Sequence, residues 1–174
     1  MSSRFQPNQY PLTAGVRLLE ASAGTGKTFA LAHLVLRLVT ERKLNLKELL
    51  VVTFTEAAAA ELRDRIGRRL NDALQALLQH QANNSDAQSD SPPRDAVLEE
   101  WLALHGQDPN TRRTLASNLL EALEGLERAD ITTIHGFCRR SLRRQALQNG
   151  TAMEVCLEND SQHLSQEVAY DYWE

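Results

Sequence analysis

The sequence predicts an α/β fold with parallel strands flanked by helices, because two short apolar runs each end at a turn and a helical pattern joins them. The first run, Val16-Arg17-Leu18-Leu19-Glu20, stops at a Gly-rich turn and suits a buried strand. From Lys27 to about Glu41, Leu31, Leu34, Val35, Leu38 and Val39 recur at three- and four-residue steps, which gives a helix with one broad apolar face. The second run, Leu49 to Phe54, is continuous and β-prone, as expected of a central strand covered on both sides.

A long helix follows from Thr55 and Glu56, with Leu62, Ile66, Leu70, Leu74 and Leu77 on its apolar stripe and Arg63, Arg65, Arg68 and Arg69 mostly off it. The tract 82–95 holds two prolines and no large apolar anchor, so the expectation there is a mobile surface loop. Val97 to Leu104, and then Leu115, Leu119, Leu120, Leu123 and Leu126, read as amphipathic helices on either side of a turn at Gly106–Asn110. Ile131-Thr132-Thr133-Ile134 reads as a third strand. A last helix places Phe137, Leu142 and Leu147 opposite Arg139, Arg140, Arg143 and Arg144. Another helical pattern starts near Ser161 and reaches Trp173-Glu174 without a stop signal, so the chain reads as cut rather than finished.

The 174 residues, 42% of them hydrophobic and 24% charged, suffice for one core and about one domain. No apolar stretch is long enough for a spanning helix and Met1 to Gln9 has no apolar signal core, so a cytoplasmic protein that meets no membrane is expected. Cys138 and Cys156 lack metal-ligand spacing and a disulfide pattern. The net charge of −4 argues against a uniformly basic nucleic-acid binder. Residues 151–174 carry six acids and no Lys or Arg, however, which leaves residues 1–150 at +2 with room for a local basic face.

Ala21-Ser22-Ala23-Gly24-Thr25-Gly26-Lys27-Thr28 has the pattern of a phosphate-binding loop. Small residues let consecutive N–H groups curl around a phosphate, Lys27 reaches β/γ oxygens, and the Thr28 hydroxyl holds Mg²⁺ that arrives with ATP. Ala21 stands where the strict pattern has glycine. A strand before the loop and a helix after it would aim the positive end of the helix dipole at the phosphates. Kinases, transport motors and GTPases share this device, so the loop does not choose among them.

Two further segments narrow the class. Val51-Val52-Thr53-Phe54-Thr55-Glu56-Ala57-Ala58 through Ile66 resembles motif Ia of the UvrD-like superfamily 1A helicases, where a strand end and turn face single-stranded DNA. Ile131-Thr132-Thr133-Ile134-His135-Gly136-Phe137-Cys138-Arg139-Arg140 resembles that family's later DNA-contacting segment, a Thr-x-His turn before a basic helix. With the phosphate loop, these three ordered motifs cover roughly residues 11–147 and look most like the RecB-like group, with AddA-type helicase–nucleases as the alternative. Thr53 and Thr55 can bond phosphate oxygens, and Phe54 can stack on a base or sit in a core. His135 either donates to DNA or has a structural role.

The resemblance implies a P-loop NTPase (RecA-like) sheet, with residues 1–149 forming part of motor domain 1A and residues 150–174 starting a helical 1B insertion. It assigns Lys27 and Thr28 to catalysis, residues 21–28 to ATP, and Thr53, Phe54, Thr55, Arg63, His135 and Arg139 to DNA. It implies a parent that acts as an ATP-driven 3′→5′ helicase and exonuclease on double-strand ends in recombinational repair, partnered by RecC- and RecD-like subunits. Gln6 and Gln9 match the family's adenine-reading Gln only loosely. Walker B carboxylates, an arginine finger and a nuclease centre are not found, Val155-Cys156-Leu157-Glu158 being the nearest apolar run with an acid. The chain alone is therefore expected to bind nucleotide weakly and not to cycle. A P-loop kinase and a non-enzymatic single-strand-binding module are the readings from other classes.

Overall fold

The computed structural model describes residues 5–20, 22, 24, 26–82, 95–145 and 162–173. The element order is α1 (Lys27–Glu41), β1 (Leu50–Thr53), α2 (Glu56–Ala82), α3 (Ala96–His105), α4 (Pro109–Gly125), β2 (Asp130–Thr133), α5 (Ile134–Arg144) and α6 (Gln162–Trp173), with single 3₁₀ turns before β1 and β2. The chain forms two compact units, Met1–Ile134 and His135–Glu174.

In the first unit, α2 is the hub and packs against α1, α4, α3 and both strands. Its buried side chains Ile66, Leu70, Ala73, Leu74 and Leu77 follow the three- and four-residue spacing of the sequence and share one core with Leu36 of α1, Trp101 of α3 and Leu119 of α4. Gly67 permits the close approach of this helix to the 3₁₀ turn before β2, since a Cβ there would lie 2.8 Å from Leu126 Cδ2. Local chemistry fixes the helix starts: the carboxylate of Asp95 accepts from Leu98 N–H, and that of Asp108 accepts from Thr111 N–H ahead of Pro109 at the first helical position.

The sheet among the described residues has two parallel strands, with Leu50 opposite Asp130 and Thr53 opposite Thr133. The expected strand at Val16–Glu20 is not one: it pairs with nothing in this sheet, and Val16 and Leu18 stand 100% and 80% exposed. A strand exists only through a neighbour's hydrogen-bond ladder, and apolar composition cannot replace that partner. The expected third strand is accordingly the second. Nor is β1 covered on both faces, since Val51 packs on the core while Leu50 and Val52 stay nearly half exposed. On α1 the buried face is displaced from the expected stripe: Val35 and Val39 are buried, but Leu31, Leu34 and Leu38 are only half-buried, and Ala32, His33, Leu36, Arg37 and Thr40 take the core side.

In the second unit α5 has strongly segregated polar and apolar faces but no buried residue. The helix expected from near Ser161 is present as α6. The tract 83–94, Leu147 and Val155–Glu158 lie outside the described residues.

Candidate nucleotide and nucleic-acid site

Gly26, the residue before α1, has φ 85°, and Gly24 has φ 77°. Only glycine takes these left-handed angles without strain, and a Cβ on either would point into open space. Among the described residues no side chain caps α1, and its first turn holds no acid, so neither satisfies its leading N–H groups. Lys27 is exposed, and its Nζ donates to the Ser22 carbonyl at 2.6 Å, folding the ammonium back over the loop. Thr28 is exposed beside it. An uncapped helix start, glycine turns and an ammonium arched over them fit a polyphosphate with its Mg²⁺. Ala21, Ala23 and Thr25 lie outside the described residues.

The second group of predicted residues sits at the carboxyl end of the sheet. Parallel pairing sets Thr53 and Thr133 side by side, and the β1–α2 turn leaves Phe54 89% exposed. Phe54 is thus not a core residue, which removes one of its two readings. Thr55 is exposed, and its Oγ1 accepts from Ala58 N–H at 3.1 Å. Arg63 is half-buried and its Nη2 donates to the Ile131 carbonyl at 2.9 Å, so it braces α2 against β2. Glu56 accepts from Thr133 Oγ1 at 2.9 Å across the same edge. Sequence reasoning passed over this last link, although the equivalent positions of two parallel strand ends hint at it. In the second unit, His135 and Arg139 are exposed on α5.

A second feature missed in the sequence is a buried polar chain behind the loop. Arg69 of α2, expected off the apolar stripe, is only 5% exposed. Its Nε and Nη2 both donate to His33 Nδ1, at 3.1 and 2.8 Å, so that nitrogen carries no proton and Nε2–H must donate to Asn8 Oδ1 at 2.6 Å. Asn8 Nδ2 in turn donates to the Val97 carbonyl and to Glu100. Arg69 also pairs with Asp95, and its guanidinium lies 4.7 Å from the centre of the Phe29 ring. Burial, with the charges of Arg69 and Arg37, pushes His33 down to about 3, keeping the imidazole neutral. Burial works against ionisation of Asp95, but hydrogen bonds from Arg69 and Leu98 N–H outweigh it and hold the carboxyl below its ordinary range. Arg37 completes the set by donating to the Pro7 and Tyr10 carbonyls and to Glu41, which clamps the N-terminal lead onto α1. The sequence signal was two polar residues, His33 and Arg37, one turn apart among buried aliphatic neighbours.

Comparison with known proteins gives a consistent result. The family model for the UvrD/REP helicase N-terminal domain matches residues 3–172. The chain is 38% identical to the RecBCD enzyme subunit RecB of Escherichia coli K12 over 99% of its length. It is 37% identical to RecB of Mycobacterium tuberculosis H37Rv over 92%. It is also 35% identical, over 75%, to an ATP-dependent helicase/nuclease subunit of Desulforamulus reducens. The chain spans only 14% of each of these RecB proteins and 8% of the last.

Proposed function

Since the chain belongs to the UvrD/REP helicase N-terminal domain family, we propose that residues 21–28 bind the triphosphate of ATP with Mg²⁺ and that the carboxyl edge of the sheet holds single-stranded DNA. The supporting observation is the exposed Lys27 ammonium beside the uncapped start of α1, with Gly24 and Gly26 in left-handed turns. Lys27 exchanges the Ser22 carbonyl for β/γ-phosphate oxygens, and Thr28 supplies the hydroxyl for Mg²⁺, which neutralises phosphate charge when bound. Phe54 stacks on a base and Thr53 and Thr55 bond the backbone; in the second unit, His135 and Arg139 are exposed donors that bind DNA in their own right. Each of these contacts tolerates any base sequence. Arg63 holds the edge from beneath.

In this reading residues 1–149 belong to motor domain 1A of a RecA-like fold, and residues 150–174 open the 1B insertion. The parent is then a cytoplasmic ATP-driven 3′→5′ helicase and exonuclease that resects double-strand ends for recombinational repair, in company with RecC- and RecD-like subunits. Its RecB relatives, matched over nearly the whole chain, favour that assignment over an AddA-type enzyme.

Calorimetry with a non-hydrolysable ATP analogue tests the loop: Lys27→Ala should weaken binding about 10- to 100-fold, the worth of a charge-assisted contact. Unchanged affinity would remove the assignment. In the same preparation, Phe54→Ala should weaken an oligothymidine complex in an anisotropy titration while leaving ATP affinity alone, and a kinase would show no such DNA effect.

A further inference from the structure

Glu56 is the first residue of α2, and an acid at that position is favoured by the helix dipole whatever it touches. Here it touches something specific. Its Oε1 accepts from the hydroxyl of Thr133, 77 positions away, at the point where β1 and β2 end side by side. The carboxylate is exposed and the threonine buried, so a solvent-facing group on one element fixes a buried one on the other. The exposed ring of Phe54 stands two residues earlier in the same turn.

The charge of Glu56 is also unlike that of its neighbours. Farther along α2, Glu61 and Asp64 form ion pairs with Arg65 and Arg68. Among the described residues no Lys or Arg pairs with Glu56. A carboxylate with no cationic side-chain partner among the described residues therefore lies on the face assigned above to a polyanion, where two unit charges about 7 Å apart in water change an equilibrium constant about threefold.

We propose that Glu56 is a positioning residue that ties the β1–α2 turn to the end of β2 for strand binding, while its negative charge weakens that grip and keeps it releasable. This role rests on the DNA-edge reading. The two parts separate chemically, because glutamine retains an oxygen to accept from Thr133 without the charge, and valine at 133 removes the donated hydrogen bond without altering the charge.

Anisotropy titrations of the chain with fluorescein-labelled oligothymidine, at low and at moderate salt, test it. Glu56→Gln should bind about threefold more tightly at low salt, with the gain shrinking as salt screens the edge. Thr133→Val should bind more weakly at both salt concentrations. Equal affinity for Glu56→Gln and wild type at low salt would overturn the charge role, and an unaltered Thr133→Val complex would overturn the tie. Phe54→Ala serves as the reference: wild-type affinity in that variant would sink the DNA edge itself, and the role of Glu56 with it.

Discussion

Lys27 and Arg69 are both long cationic side chains near the front half of α1, and the fold treats them oppositely. Lys27 sits in solvent at the helix start, and its ammonium donates to a loop carbonyl that a stronger acceptor can replace. Arg69 lies almost wholly buried against the same helix and commits its guanidinium to His33, Asp95 and the Phe29 ring. The difference separates a charge exposed at the surface from a charge consumed in folding. A buried cation must be matched on every side, whereas an ammonium meant for phosphate must stay wet until its partner arrives.

The largest effect should come from breaking the buried member. Arg69→Ala leaves His33 Nδ1 without its donor and Asp95 with only the Leu98 N–H, and should lower unfolding free energy by about 3 kcal/mol in a urea titration with unchanged m-value. A loss under about 1 kcal/mol would mean that solvent reaches the network through the partly exposed Asp95.

Next in size is a pH effect carried by His33. Its folded pKa, about 3, lies below the ordinary histidine value of 6.5, so the unfolded chain takes up the proton first. Its contribution is complete above about pH 6.5 and falls away as pH drops towards 3. His33→Gln preserves an acceptor for Arg69 and a donor for Asn8 but does not titrate, so its stability should fall less steeply between about pH 6.5 and about pH 4.5. Parallel curves for the two proteins would contradict a neutral buried imidazole. The smallest effect belongs to the exposed member: Lys27→Ala should change unfolding free energy by under about 0.5 kcal/mol while weakening nucleotide binding as stated above. Substantial destabilisation would show that Lys27 also holds the loop together.

Much of the molecule was legible in order along the chain. The leucines of α2 and the Gly24-x-Gly26-Lys27-Thr28 pattern encode their structure within a few residues, because helix periodicity and left-handed turns are local. Cooperation between distant positions was not legible. Arg69 looked like a solvated charge because nothing in its neighbourhood reveals that residues 8, 33 and 95 will surround it. Val16–Glu20 looked like a strand because its composition is right, and it lies outside the sheet because pairing belongs to the neighbour.

The amino-acid order by itself thus determined the phosphate-loop pattern, the order of the helices and the kinship with UvrD-like helicases, all of which depend on short-range spacing. Tertiary structure alone decided which charges are consumed and which stay open, that Phe54 faces water, and that Glu56 reaches Thr133. The physical reason is that burial and hydrogen-bond satisfaction are properties of packed surroundings, and the surroundings of any one residue are assembled from parts of the chain far from it.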